Sequence, residues 1–380
     1  MDASSEEKGQ WIATIGWFHL FHKDLKQAIH YYEVASSYVM DRSGPLHSHI
    51  LARMAIAFTW VGEYHRGLAL AQKARQLAIL RGDRAEQFIA YEAEATCQQH
   101  WGNFSGAKLL LAEAKELSPV ELKHKWEEIQ ADLHITQTEY SEARTLEMSV
   151  LDYRSSCQPP IRDTIVAHLN LASIGIATGS EIESIKYHLD TAYFQCNFLA
   201  FPFGLTYCET VAAHLHLREG NISLAREKFE KYFFIFQKGS DVQGLRTCLE
   251  GLGDITHKMH DREMTFRWAV IFLAFGQRAK SMLMTVSALR FIGDIISVQG
   301  DDETALSLLS AALQAFTLMD VHHQKAKCMI SMGAIFERRE ELEKAVDLWQ
   351  KSLLLLERCS QKKDIARISR MIQAATEKTR

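Results

Sequence analysis

The chain reads as an all-α protein of about nine stacked helical hairpins, and three observations carry that reading. Polar turn residues recur at a near-constant interval: Asp24, Glu63, Asn103, Glu139, Glu181, Asn221, Asp261, Asp301 and Glu341 follow one another at spacings of 36 to 42 residues, the mark of a repeat array rather than of one compact core. Small side chains come in pairs twelve residues apart that straddle these turns. Only five prolines interrupt 380 residues, so nearly the whole chain is free to be helical.

In chain order the small pairs are Gly16 with Ala28, Ala55 with Gly67, Ala95 with Ala107, Ala131 with Ala143, Ala213 with Ala225, Gly293 with Ala305, and Gly333 with Ala345. The first member of each lies on a helix A, the second on a helix B, and the turn residue stands four positions before the second. Breaks such as Gly62-Glu63-Tyr64, Trp101-Gly102-Asn103-Phe104, Glu219-Gly220-Asn221 and Gln299-Gly300-Asp301 separate the apolar-periodic runs. Glycine lets the end of helix A enter the left-handed region, and the Asn, Asp or Glu after it suits the first turn of helix B. The two runs therefore fold back as an antiparallel hairpin.

Two helices joined by a tight turn cross near it, and small side chains there allow an axial separation toward the short end of the roughly 8–10 Å range. A further small column follows seven residues later, at Ala35, Ala74, Ala114, Ala192, Ala312 and Ser352. Between the two comes a bulky column: Tyr32, Leu111, Leu189, Phe229, Leu309 and Trp349. Hairpins five and seven depart, with Ser173 opposite Ile185 and Gly253 opposite Thr265 in place of small pairs, so looser or rotated packing is expected there. The helix A column five residues before each turn is irregular (His19, Phe58, Gln98, His134, Ile176, His216, Thr256, Ile296, Phe336). Its histidines read as polar groups satisfied inside a helical core.

This pattern of small, small, bulky and small residues resembles the tetratricopeptide repeat over about nine-tenths of the chain. The repeats average about 40 residues against about 34 in the family, and the surplus is expected in longer helices or in connections such as Met40–Leu46 and Gly239–Val242. The resemblance implies a right-handed α-solenoid whose A helices line a concave groove suited to a peptide or helical segment of a protein partner. Arg53, Asn170, Arg246, Arg290 and Lys327 lie on A helices, but their offsets from the turns do not reproduce the family's clamp for a C-terminal carboxylate. The C-terminal portion, with Gly293-Asp294-Ile295, Gly300-Asp301-Asp302 and Lys344-Ala345-Val346-Asp347-Leu348-Trp349, is similar to helical-repeat tails of mushroom-type fungal NACHT-like proteins. That similarity implies a free-standing repeat protein or a sensor-like tail.

Residues 1–8 are expected to be a disordered tail, 9–360 the solenoid, and 361–380 a capping helix and tail. The double proline gives a pivot near 155–160. A net charge of −4 from 43 basic and 47 acidic residues offers no clustered basic footprint for nucleic acid. No run of roughly 18 apolar residues suggests a membrane span, and the polar N-terminus does not resemble a secretory leader. Seven dispersed cysteines fit a reducing, cytoplasmic setting.

No phosphate loop, zinc-protease motif or nucleophile elbow occurs. The histidine groups 19/22, 47/49, 214/216 and 257/260 supply no local third ligand, and Cys208 near His214 does not form a dyad by spacing. Neither metal nor cofactor is expected. The aromatics Trp11, Trp17, Phe18, Phe21, Tyr31 and Tyr32 crowd the first hairpin, where some can stay exposed to a partner. The expected function is a noncatalytic scaffold binding a protein segment, with Trp11, Trp17, Phe21, Arg53, Asn170, Arg246 and Arg290 as candidate contact residues. Homo-oligomeric assembly, and a regulatory or accessory domain of a signalling ATPase or enzyme complex, are the alternatives.

Overall fold

The structure, a computed structural model, describes residues 4–118, 123–154, 162–259 and 261–379. Among these residues there are nineteen α-helices and no strand. The hairpins are α1 (Ser5–Phe21) with α2 (Leu25–Tyr38), α3 (Pro45–Trp60) with α4 (Tyr64–Arg81), α5 (Arg84–Trp101) with α6 (Phe104–Leu117), and α7 (Lys123–Gln137) with α8 (Tyr140–Arg154). There follow α9 (Arg162–Thr178) with α10 (Ile182–Phe198), α11 (Pro202–Glu219) with α12 (Ile222–Gly239), and α13 (Val242–Lys258) with α14 (Arg262–Arg278). The last two are α15 (Met282–Gln299) with α16 (Asp302–Met319) and α17 (His322–Arg338) with α18 (Leu342–Arg358), and α19 (Lys362–Thr379) packs on α18.

The turns explain both the regular and the irregular column. The amide of the turn residue donates to the carbonyl five residues back, as in Asp24 to His19, Glu63 to Phe58, Asn103 to Gln98, Glu139 to His134, Asn221 to His216 and Glu341 to Phe336, at 2.8–2.9 Å. This is the closure of a Schellman-type end. It uses the backbone of the irregular column and leaves its side chains unconstrained. In seven hairpins the residue just before the turn residue is left-handed: glycine fills that place at 62, 102, 220 and 300, and Lys23, Thr138 and Glu340 adopt it with a side chain, whereas in hairpin five the left-handed residue is Gly179, one position earlier. Asn103, Asp261 and Asp301 also accept a hydrogen bond from the first turn of helix B.

Every member of the small pairs is buried. On the A helices these are Gly16, Ala55, Ala95, Ala131, Ala213, Gly293 and Gly333, and on the B helices Ala28, Gly67, Ala107, Ala143, Ala225, Ala305 and Ala345. The six B-helix alanines are wholly inaccessible to solvent, so the column holds helices together and offers nothing to a ligand. A methyl added to Gly67 would meet the Ala55 carbonyl oxygen and Thr59 Oγ1 at 2.9 Å and Cys97 Sγ at 3.2 Å, which places the second member against both its own helix A and the next one.

A methyl group added to Gly16 would meet the Tyr32 ring at 3.1 Å, one on Gly293 would meet Leu309 Cγ at 3.0 Å, and one on Gly333 would meet Trp349 Nε1 at 2.3 Å. The helix A glycine thus makes room for the bulky column of helix B, not only for the opposite small residue. Hairpin five keeps this logic by a shift, since Gly175 rather than Ser173 accommodates the buried Ile185, 2.8 Å from an added Cβ. In α13, Gly251 and Gly253 receive the rings of Phe229 and Phe291. The expected loosening is replaced in hairpin five by close packing through the displaced Gly175, whereas the glycines of α13 make room for rings of the neighbouring hairpins six and eight.

The A helices form the inner layer. Eleven residues of α3 and eleven of α15 are buried, against five each of α4 and α16, because an A helix touches neighbours on both sides while a B helix buries one stripe. This is why α15, by length and composition alone apolar enough to cross a membrane, is 61% buried within the solenoid. Most helices run 14–18 residues, so helix length accounts for most of the surplus over the family repeat.

Helix α1 begins at Ser5, inside the stretch expected to be a tail. Ser4 and Glu7 form a reciprocal capping box, with Ser4 N donating to Glu7 Oε2 at 2.7 Å and Glu7 N to Ser4 Oγ at 3.2 Å. The expected pivot near 155–160 lies outside the described residues. At the other end, α19 packs on α18 and buries Ile368 and Ala375.

Candidate functional site

The superhelix winds tightly enough for its turns to touch. Phe21 lies 5.5 Å from Phe201, ring to ring, and Lys23 Nζ sits 3.9 Å from Asp241 Oδ2 and 3.3 Å above the Trp60 ring. A methyl added to Gly62 would meet Ala279 Cβ and Val242 Cγ2 at 3.0 Å, and one on Gly102 would meet Met282 Cβ at 3.2 Å and Met319 Sδ at 3.4 Å. Thr138 Oγ1 is 3.3 Å from Cys359 Sγ and accepts from His323 N at 3.1 Å. The pairs 23/241, 62/279, 102/319 and 138/359 are 217 to 221 residues apart. Turn loops of early hairpins therefore seat against links about five hairpins later, and one superhelical turn closes a seam along which the A helices surround the axis.

Polar side chains bridge successive A helices along this inner layer. Arg53 faces Glu92 at 3.9 Å, Gln99 Nε2 donates to Asp132 at 2.7 Å, Lys125 reaches Asp163 at 3.5 Å as well as Glu128 at 2.8 Å on its own helix, and Lys327 on α17 reaches past α15 to Asp254 on α13 at 3.6 Å. Asn170 donates to Glu147 Oε1 at 2.6 Å, and Arg246 faces Glu250 at 3.9 Å.

Burial sets the charge of several of these groups. It pushes Glu147 up to about 8, against the lowering effect of the Asn170 bond, and takes Lys23 down to about 8 despite Asp241. Desolvation, with the cations Arg246 and Lys23 nearby, brings the half-buried His100 to about 3, and desolvation brings His214 to about 4. The imidazoles at 100 and 214 are thus neutral at neutral pH. A cavity of about 20 Å³ among Tyr64, Gln99, His100, Thr136 and Arg246 at the seam is water-sized.

The contact residues nominated from the sequence fall into three groups. Arg53, Asn170 and Arg246 are half-buried in the inner layer and already engaged with acids. Arg290 is buried, pairs with Asp294 at 2.8 Å and lies 4.0 Å over the Phe291 ring, which makes it a core element of α15 rather than a contact residue. Trp11 and Trp17 are 61% and 50% exposed on α1, whereas Phe21 packs into the seam against Phe201.

The histidine groups do not converge. His19 turns to Asp24, His49 to Glu86 and His216 to Glu219, while His214 packs edge-on against Phe229. The side chains of His257 and His260 lie outside the described residues. Cys208 faces Cys196 at 3.9 Å, not His214. Lys23, His100, Asp132 and Glu147 are not singled out by sequence, since no local spacing distinguishes them from other helical polar residues.

No family model matches the sequence, and no curated protein matches it significantly. Solved structures do match. A Rap protein complexed with competence and sporulation factor superposes with a TM-score of 0.59 at 10% identity, covering 88% of this chain and 99% of that one. Aspartyl phosphate phosphatase F from Bacillus subtilis gives 0.50 at 11% identity over 93% of this chain and 95% of that one. A signal transduction ATPase with numerous domains and a tetratricopeptide-repeat sensor, from Pyrococcus horikoshii, gives 0.50 at 12% identity over 85% of this chain and 48% of that one. The chain has the fold of a tetratricopeptide-type helical-repeat solenoid.

Proposed function

We propose that the chain is a noncatalytic protein-interaction scaffold that holds a peptide or helical segment of a partner along the axis enclosed by its A helices. The inner layer of bridged polar side chains carries this reading. Groups such as Arg53, Gln99, Asp132 and Arg246 are fixed by neighbours yet keep donor and acceptor capacity for an incoming backbone, and many modest contacts of this kind suit an extended ligand. The likeness to a Rap protein solved with a bound factor supports it at the level of architecture. The likeness to the repeat sensor of an ATPase supports a related role, reporting on such a ligand to another protein. A cytoplasmic location is part of the proposal and fits six described cysteines that are free and buried.

The test is affinity capture by the full chain followed by mass spectrometry, repeated with Arg246→Glu and Asp132→Lys after circular dichroism has established that both fold. A protein partner lost with both inner-layer variants and retained by the double variant Trp11→Ala, Trp17→Ala supports the axial site. The opposite pattern overturns it, as does recovery of a bound small molecule with no protein.

The exposed Trp11 and Trp17, with Ile15 and Phe18 beside them on α1, favour self-association as the second reading. Light scattering across concentration decides it. A mass that rises with concentration, and no longer does so in the tryptophan double variant, establishes assembly through α1.

A further inference from the structure

The seam contains a cluster that axial binding does not use. Glu139 ends the α7–α8 turn, and Asp320 and His322 flank the α16–α17 link on the other side of the seam. One donor atom from each lies within 4.8 Å of the other two. His322 is 1% exposed, and its ring stands between two carboxylates, with Nε2 3.5 Å from Glu139 Oε1 and Nδ1 3.5 Å from Asp320 Oδ1. Neither ring nitrogen makes a hydrogen bond of good geometry.

A neutral imidazole has one N–H, so at least one nitrogen turns its lone pair toward a carboxylate oxygen. That arrangement is unfavourable unless a second proton or a cation intervenes. The two carboxylates also face other basic side chains. Glu139 faces His134 at 2.6 Å, Arg358 at 3.5 Å and Lys108 at 4.0 Å, and Asp320 faces Lys325 at 3.8 Å.

A metal ion uses the same spacing well. Two ligands on a tetrahedral zinc with bonds of about 2.0–2.1 Å lie about 3.4 Å apart, close to the 3.5 Å between His322 Nε2 and Glu139 Oε1. Asp320 is half-exposed and can turn to supply a third oxygen, while Arg358 and Lys108 reach Glu139 from the exposed side and can swing into solvent. We propose that Glu139, Asp320 and His322 form a site for a first-row divalent cation, zinc fitting best, that staples one turn of the superhelix to the next. Nitrogen and carboxylate oxygen donors suit this class, and water completes the coordination.

The full chain, stripped with chelator and dialysed, is titrated with cobalt(II) and with zinc. The expected result is one equivalent of cobalt(II) with the visible absorption of a four-coordinate site, displaced by zinc, and a melting temperature raised by zinc. Glu139→Gln and His322→Gln should each weaken binding by at least about tenfold, whereas His323→Ala should leave it within about twofold. His322→Gln preserves the volume of the ring only in part, so the folded fraction of each variant is checked by circular dichroism, and Glu139→Gln carries the test if His322→Gln unfolds. Absence of stoichiometric binding by the parent chain, or binding that Glu139→Gln leaves unchanged, overturns the site. Loss of metal binding and loss of a protein partner are separate readouts, so either proposal can fail alone.

Discussion

At Gly333 an added methyl would lie 2.3 Å from Trp349 Nε1 and 2.7 Å from its Cδ1, closer than real Cβ contacts come, so the fully buried indole dictates the glycine. Gly333→Ala should lower stability by about 1–3 kcal/mol, the usual cost of overpacking, read as a reduced urea midpoint. Adding Trp349→Leu should make the alanine nearly neutral relative to Trp349→Leu alone; equal losses in both backgrounds would show that the indole is not the obstacle. Lys23 makes a pH prediction. Its folded value, about 8, lies below the ordinary 10.5 because of burial, so below pH 8 the residue is charged in both states and the fold bears the desolvation cost in full. Between 8 and 10.5 the unfolded chain binds more protons than the folded one, and this group's contribution becomes more favourable as pH rises. The stability of the parent chain relative to Lys23→Met should therefore improve from about pH 7.5 to about 9.5. Taking the difference between the two proteins removes the opposite trend from buried thiols such as Cys97 and Cys328, which burial raises to about 12. A flat difference would mean that Lys23 is not buried.

At the scale of the element, the hairpins are legible in the sequence because each small or bulky residue acts on a partner within one or two helices, and local period encodes such contacts. Ala28, Ala107, Ala143, Ala225 and Ala305 can be placed at a helix crossing, and Tyr32, Leu309 and Trp349 in one bulky column, without knowing the fold. The column from His19 to Phe336 cannot, since its role is carried by a backbone carbonyl that any residue supplies. Hairpin five departs from its expected looseness because the clearance for Ile185 comes from Gly175, two positions off the repeat register. The packing of α19 on α18 follows the same nearest-neighbour logic. Its buried Ile368 and Ala375 cover the last hairpin, so truncation after Gln361 should strip amide-exchange protection from α17 and α18 while leaving α1 to α6 protected. Uniform loss along the chain would indicate that the array unfolds as one unit and that α19 is more than a local cap.

For the molecule as a whole, neither the seam nor the Glu139–Asp320–His322 cluster can be read from the chain. Their partners stand roughly 180 to 221 residues apart, and what brings them together is a small rotation repeated at every hairpin, a quantity no single repeat displays. Closure nevertheless leaves its own demand on residue size, because Gly62 and Gly102 meet Ala279, Met282 and Met319 with almost no clearance. Ala279 lies in the link between α14 and α15 and is buried by that contact. Replacing it with Trp should wedge the seam without breaking a helix, since the indole has nowhere to go except between the turns. Helical circular dichroism should stay near that of the parent chain while the radius of gyration from small-angle scattering rises. If the axial site depends on closure, capture of the partner should weaken in the same variant. An unchanged radius of gyration in a fully folded Ala279→Trp would mean that the turns do not bear on one another in solution, and the enclosed axis would have to give way to an open groove.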